Sequence, residues 1–255
     1  MATNNTLTLN QIMQQINANV YLNSNTPTQG SNDWNLYLAL INTIGINTWE
    51  NEQNTLWNEL WTPAPTFTIA AGMTTTPLPS DFKFIAGGTI PLTLVGSTTA
   101  SPSIKAIPVK MLPEIVLNPI MDKREFYVTG NPVNGYELQL GWTPQTGDAE
   151  IGATANFYYY KHAATLANPN DTPEMSDPMF IVYSVCASIM GQDINNSNYE
   201  RMQSLAETSL LNMTILNNKA SNFMDDYIKD VEGLMGQSGN PQLNKFNSSY
   251  WTRGN

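Results

Sequence analysis

The chain has 255 residues, of which 41% are hydrophobic and only 13% are charged, and its 21 acidic and 11 basic residues give a formal net charge of −10. A chain of this length buries a core large enough to fold without disulfide or metal staples. Its single cysteine, Cys186, excludes an intrachain disulfide framework, and one cysteine with one histidine excludes a Cys/His metal cluster. The acidic balance is opposite to that of a protein that binds DNA by counterion release.

Neither secretion nor membrane insertion is predicted. The N-terminal sequence MATNNTLTLNQIMQQ lacks the basic and apolar regions of a signal peptide. The most apolar run, around residues 179–190, is shorter than a membrane span. We therefore expect a soluble protein that is made in a cytoplasm and does not enter a membrane.

Residues 1–62 are predicted to form N-terminal helices. Thr8 and Gln11 match a capping box ahead of an apolar stripe that begins at Leu9. After a loop rich in helix-breaking residues, an apolar repeat of three to four residues predicts a second helix from about Asp33 to Trp61, despite a polar gap at residues 52–53. The prolines that follow cannot continue this helix and end it.

Residues 63–162 are predicted to form a β-rich insert. Short runs of β-branched and aromatic residues alternate with Gly, Pro, Asn and Asp, which is the pattern of strands joined by turns. The runs are TFTIA, FKFIAGGTIPLTLVG, SIKAIPVKM, EIVLN, EFYVTG, YELQLGW and ATANFYYYKH. Their length and spacing predict a small antiparallel barrel or sandwich, in which Pro91 and Pro108 mark edge positions or bulges.

Residues 163–235 are predicted to be C-terminal helices that complete the helical domain. Asp177 is placed to cap a helix over MFIVYSVCASIMGQD. That helix is apolar on most sides, so we expect it to be deeply buried with Cys186 as a small core residue. A longer amphipathic helix follows from about Tyr199. The predicted fold class is therefore α+β: a helical bundle of N-terminal and C-terminal helices with an inserted small antiparallel β-barrel or sandwich.

Residues 236–255 are predicted to form an extended C-terminal tail. Gly236, Gly239 and Pro241 separate this segment from the last helical stripe, and the segment has no hydrophobic period of its own. It combines aromatic and aliphatic side chains with cations, a combination typical of residues that anchor an interface. The predicted partner-binding residues are Leu243, Phe246, Tyr250, Trp251 and Arg253.

No catalytic, cofactor-binding or metal-binding residue is predicted. His162, the only histidine, follows three tyrosines at the end of a predicted strand and has no nucleophile at motif spacing, so we interpret it as structural. The sequence contains no P-loop and no GxGxxG motif. Glu114 and Glu137 stay open as a glycosidase-like carboxylate pair, although nothing in the sequence favours them. We therefore predict that the protein is not an enzyme.

The order of these parts resembles that of the head–tail adaptor (connector) proteins of tailed bacteriophages. In that family, a strand that ends in a tyrosine pair leads through an acidic, proline-containing loop to a buried helix rich in small and apolar residues, and a further helix follows. The resemblance covers most of residues 8–218. The segments that carry it are TTTPLPSDF, REFYVTG, ELQLGWTPQTGDAEIGATANFYYYKHAATL and NDTPEMSDPMFIVYSVCASIMGQD.

This resemblance implies a virion structural protein, located in the neck between capsid and tail and made in the host cytoplasm. About twelve copies would form a homo-oligomeric ring below the portal protein and around the DNA channel. The ring would bind the portal protein and a downstream tail or nozzle protein. DNA would pass through the lumen without sequence-specific binding, since an acidic lumen repels DNA and lets it slide. In resembling connectors, the C-terminal extension reaches the portal or a neighbouring subunit.

Two alternatives stay open. One is another phage tail or fibre-associated protein, which would bind a receptor glycan through exposed aromatic residues of the β insert. The other, less favoured, is a glycan hydrolase with dispersed carboxylates.

Overall fold

In the described part of the chain, helices come before and after a central region of strands. The computed structural model describes residues 6–53, 55–85, 89–94, 103–106, 125–192 and 198–235. The chain divides into two compact units, residues 1–209 and residues 210–255, with the division inside the last helix. Among the described residues, no helix is both long enough and apolar enough to cross a bilayer.

The first helix, α1 (Leu9–Tyr21), begins at the predicted capping box, which is confirmed. The Gln11 amide donates to Thr8 Oγ1 over 3.3 Å, and the Thr8 amide donates to Gln11 Oε1 over 2.9 Å. These two bonds satisfy amides that have no partner within the helix. The apolar stripe is fully buried; it consists of Leu9, Ile12, Met13 and Ile16.

The second predicted helix is shorter than expected. Helix α2 (Asn32–Leu40) continues as a π-helical segment, Ile41–Ile46, and then as α3 (Asn47–Glu50). The prediction of helix as far as Trp61 is wrong beyond Glu50. The polar gap after Glu50 has no apolar face to bury, and the Asn51 side chain donates to the Asn47 carbonyl over 2.9 Å. The chain then turns back through a short 3₁₀ helix, Asn58–Leu60.

The turn after α3 is held by two tryptophans. Trp57 Nε1 donates to the Trp49 carbonyl over 2.6 Å, and the two ring centroids are 5.4 Å apart. Both side chains are almost completely buried. Trp57 therefore packs as a core residue, although it lies in the turn after α3 and not in a helix as predicted.

The predicted buried helix is confirmed as α4 (Met179–Met190), which packs against α1 and the π-helical segment. A Cβ on Gly45 would lie 2.8 Å from Ile181 Cγ2, so the π-helical segment approaches α4 closely only because residue 45 is glycine. Cys186 is completely buried, as predicted, and burial raises the pKa of its thiol to about 12.

The Asp177 carboxylate acts at the start of α4. It accepts from the Met179 amide over 3.1 Å and from Ser209 Oγ over 2.5 Å. Ser209 belongs to the last helix, α5 (Asn198–Met235). The N-cap residue of α4 is Pro178, so the prediction of Asp177 as the cap is wrong by one residue. Asp177 precedes the cap, accepts from the first helical amide and links α4 to the first part of α5.

Among the described residues between α3 and α4, ten short strands follow one another. They are β1 (Trp61–Pro63), β2 (Phe67–Thr68), β3 (Thr75–Pro77), β4 (Phe82–Ile85), β5 (Thr89–Thr93), β6 (Ser103–Ala106), β7 (Glu125–Asn131), β8 (Gly135–Leu140), β9 (Thr154–Ala155) and β10 (Tyr158–Lys161). The predicted strand EIVLN lies outside the described residues, as does Pro108.

The strands form open sheets, so the predicted fold, a helical bundle with an inserted barrel or sandwich, is wrong. One sheet has the order β1-β10-β4 and the other has the order β2-β9-β5-β6-β7-β8-β3. All described pairs are antiparallel except β6 with β7. The end strands β2 and β3 do not pair with each other in the described residues, and no closed barrel forms. Helical residues lie mostly in the C-terminal part of the chain, where α5 alone has 38 residues. Closure depends on strand tilt and stagger, which an alternating sequence pattern does not specify.

Prolines mark places where a strand needs no amide donor. Pro63 and Pro77 lie in β1 and β3, which are edge strands. Pro91 lies in the middle of β5, where the strand changes partner from β6 to β9. Inward-facing side chains of both sheets share one apolar core that includes Phe82, Phe126, Leu138 and Tyr159.

Candidate functional site

The tyrosine run in β10 alternates between the two faces of the three-stranded sheet. Tyr159 points into the core, is 5% exposed and donates its hydroxyl to Asp81 Oδ1 over 2.8 Å. Burial, together with the hydrogen bond and negative charge of Asp81, raises the pKa of Tyr159 to about 12. Tyr158 and Tyr160, one residue away on either side, belong to the opposite face.

That opposite face carries a cluster of aromatic rings. The Trp61 ring is tilted against the Tyr158 ring at a centroid distance of 4.7 Å, and Phe84 stacks beside Tyr160 at 4.9 Å. Trp61, Phe84 and Tyr158 are 45%, 36% and 49% exposed. We call Trp61, Phe84, Tyr158 and Tyr160 the aromatic face. Contiguous exposed aromatic surface of this kind is characteristic of interaction sites.

A β-bulge beside this face directs Lys83 towards the helical layer. Tyr160 pairs with Phe84 and Lys161 pairs with Phe82, so Lys83 is an extra residue in β4. Its Nζ donates to Glu50 Oε1, at the end of α3, over 2.8 Å. The bulge therefore connects the sheet to the helices through an ion pair.

The Glu50 carboxylate has three hydrogen-bonding partners, and its side chain is only 9% exposed. Besides Lys83, His162 Nδ1 lies 2.7 Å from Glu50 Oε1, and the Ala163 amide donates to Glu50 Oε2 over 3.1 Å. Burial by itself raises the pKa of Glu50. The hydrogen bonds from Lys83, His162 and Ala163 and the charge of Lys83 outweigh burial and hold this pKa below its ordinary value of 4.5. We call Glu50, Lys83 and His162 the Glu50 cluster.

A second glutamate, beside the segment that follows β10, likewise combines an ion pair with a hydrogen bond from a backbone amide. Lys161 forms an ion pair with Glu174, and the Ala164 amide donates to Glu174 Oε2 over 3.1 Å. Asn42, in the π-helical segment, both accepts from the Leu166 amide and donates to the Leu166 carbonyl, each over 2.9 Å. Residues 161–166 therefore fasten the three-stranded sheet to the helices.

His162 follows β10 and lies beside Glu50 at the end of α3. Its ring is 48% exposed and contacts the Glu50 carboxylate, but no hydroxyl or thiol in the described part of the chain is hydrogen-bonded to it. A catalytic histidine of the triad type contacts a nucleophile as well as an orienting acid. The described residues also include no group of three or more His, Cys, Asp or Glu side chains that could hold a metal ion.

The predicted binding residues and the carboxylate pair are placed only in part. Leu243, Phe246, Tyr250, Trp251 and Arg253 lie outside the described residues, and so does Glu114. Glu137 is exposed in β8, opposite Thr129 of β7. The aromatic face was not identified from the sequence, although the alternation within YYYK was a usable signal for its two tyrosines.

Glu50→Gln is expected to destabilise the fold at neutral pH. Because the pKa of Glu50 is lower in the folded chain than in the unfolded one, its stabilising contribution is complete above pH 4.5 and is lost as the pH falls through the folded pKa. Urea unfolding of the wild type and of the variant should therefore give free energies that differ most above pH 4.5 and converge in acid. Glu59→Gln, at an exposed position, is the control. A Glu50→Gln effect that does not vary with pH would contradict the assignment.

His162→Ala is expected to leave folding and assembly intact and to abolish no activity. Its half-exposed pair with Glu50 contributes about 1 kcal/mol or less. Thermal melting and electron microscopy of the variant beside the wild type would measure both properties. Loss of a hydrolytic activity, with folding preserved, would overturn the structural interpretation of this histidine.

The chain matches no protein-family model, and no curated protein matches it either.

Proposed function

We propose that this protein is a structural protein of a tailed-bacteriophage virion: a head–tail connector that assembles into a ring below the portal and links the capsid to the tail. The observation that carries the proposal is the aromatic face, a solvent-exposed surface suited to contact between protein subunits. The order of the sequence segments resembles that of connector proteins, and for this reason we propose a head–tail connector in particular.

The charge of the chain supports the same proposal. A formal net charge of −10 per copy, repeated around a ring, gives a lumen that repels the phosphate backbone of DNA. DNA then slides through without sequence-specific contacts. In the described residues, Lys83 and Lys161, which adjoin the aromatic face along β4 and β10, are both paired with carboxylates.

Electron microscopy and mass measurement of the purified full-length chain test the proposal, first with the chain alone and then after mixing with the portal protein of the same virus. Rings that stack coaxially on the portal are the expected result. The portal mixture is needed because some rings form only on their template, by mass action. Trimers that bind glycans, or a monomer that never joins the portal, would contradict the connector function.

Deletion of residues 237–255 is expected to weaken attachment to the ring or the portal while leaving the melting temperature nearly unchanged. The deleted segment holds the predicted anchors Phe246, Tyr250 and Trp251, and the loss is repeated in every copy of a ring. Incorporation of the truncated chain into particles, in competition with the full-length chain, measures the effect. Equal incorporation of the two chains would show that the tail is not a binding segment.

A further inference from the structure

We propose that Asn134 is a site of spontaneous covalent modification, at which asparagine converts to aspartate and isoaspartate through a cyclic succinimide. The site lies at the tip of the hairpin that β7 and β8 form. The reaction needs only the chain and water, so it does not depend on the connector function.

Asn134 is followed by glycine, the residue that hinders this reaction least. Asn134–Gly135 is the only Asn–Gly pair in the sequence, and such pairs also favour the tight turn of a hairpin. Gly135 has no side chain to shield its amide nitrogen. Apart from its chain neighbours, no heavy atom of the described residues lies within 4 Å of the position that a Cβ would take there. The space beside the Gly135 nitrogen is therefore open to the Asn134 carboxamide.

The tip of the hairpin is exposed, whereas its base belongs to the core. Residues 130–135 are all exposed, and Phe126 and Leu138 are buried at the base. Asn131 and Gly135 form the last pair of the strand ladder. Opening that pair exposes the Gly135 amide to water without any unfolding of the base, because the ends of strands open more easily than the core. Water and hydroxide therefore reach the reacting atoms in the folded chain.

A second asparagine in the same hairpin lacks the nucleophile. Asn131 is also exposed, but the next residue is Pro132, whose nitrogen carries no hydrogen and cannot attack the side chain. Asn131 Oδ1 accepts from the amides of Val133 and Asn134, each over 2.9 Å. Asn131 therefore stabilises the turn, and Asn134 is the reactive asparagine.

The conversion takes place in two steps, and nothing is oxidised or reduced. In the first step, the deprotonated Gly135 nitrogen attacks Asn134 Cγ, a C–N bond forms, the bond from Cγ to Nδ2 breaks, and ammonia leaves. In the second step, water adds to one of the two carbonyl carbons of the succinimide and opens the ring. Cleavage at Cγ gives aspartate. Cleavage at the main-chain carbonyl carbon gives isoaspartate, in which the main chain runs through the former side chain.

Both products place a carboxylate at the tip of the hairpin. The sequence has no charged residue between Glu125 and Glu137, so this carboxylate is the first charge in that segment. Isoaspartate also adds one carbon to the main chain between Asn134 and Gly135, inside the turn that Asn131 stabilises. The modification therefore changes the charge and shape of an exposed surface, while the core at the base of the hairpin keeps its packing.

Mass spectrometry of the full-length chain tests the proposal. The purified chain is incubated in mildly acidic and in mildly alkaline buffer and then digested with trypsin, which releases residues 125–161 as one peptide. Electron-transfer fragmentation distinguishes aspartate from isoaspartate, and a sample taken before incubation is the blank. We expect both products at Asn134, with a higher yield in alkaline buffer because hydroxide deprotonates the Gly135 amide, and an intact Asn131.

Two references show whether the Asn–Gly pair is responsible. Asn156 is exposed in the same peptide but precedes the bulky Phe157, so it should convert much more slowly than Asn134. Asn134→Gln keeps a carboxamide but must close a larger ring, so both products should be lost at this position. Circular dichroism checks that the variant is folded.

The isolated peptide of residues 125–161, incubated in parallel, shows how fast the same pair reacts outside the folded chain. Asn134 that stays intact in the full-length chain while it converts in the peptide would overturn the proposal. Equal yields at Asn131 or Asn156, aspartate without isoaspartate, or equal rates in the two buffers would also overturn it.

Discussion

Val182→Asp is expected to prevent folding. Val182 is completely buried in α4, where the helix packs against α1 and the π-helical segment. An unpaired carboxylate at this position costs several kcal/mol, which is comparable with a total stability of roughly 5 to 15 kcal/mol. The measurement is the yield of soluble protein and its circular dichroism spectrum.

Two further variants test how the loss of stability depends on burial. Ile189 is only partly buried at the end of α4, so Ile189→Asp should destabilise the protein less than Val182→Asp. Gln192→Asp, just after α4 at an exposed position, should be nearly neutral. A soluble, well-folded Val182→Asp protein would show that α4 is placed wrongly.

Trp57→Ala is expected to destabilise the fold by about 3–5 kcal/mol, the usual cost of truncating a buried aromatic residue. The change removes a ring packed at 5.4 Å from Trp49 and the hydrogen bond to the Trp49 carbonyl. It also leaves that carbonyl without this donor, inside the turn that follows α3. Urea unfolding of the variant and the wild type measures the difference.

Trp61→Ala is the matched control for Trp57→Ala. The two tryptophans lie four residues apart, but Trp61 is 45% exposed and Trp57 is 1% exposed. We therefore expect a much smaller loss of stability from Trp61→Ala, because its ring is removed mainly from solvent. Equal losses from the two variants would contradict the burial that distinguishes them.

The sequence by itself determined the features that depend on neighbouring residues. The capping box at Thr8 needs only a residue three positions further on, and α4 is apolar on most sides, so it has little polar surface to present to water. The positions of most described strands also follow from local alternation and from the turn residues between them. In each case, the deciding interaction lies within a few residues along the chain.

Only the tertiary structure decided how those elements join. The end of α3 depends on a turn in which Trp57 folds back onto Trp49, and the open sheets depend on strand pairings between distant segments. Glu50 and His162 are 112 residues apart, and they meet because a bulge at Lys83 and the strand β10 bring the sheet to the end of α3. The aromatic face likewise combines three strands that are far apart in the sequence. The local sequence pattern specifies which residues are extended or helical. Contacts between residues so far apart in the sequence depend instead on the packing of the whole unit. The same alternation of apolar and polar residues is compatible with an open sheet, a sandwich or a barrel.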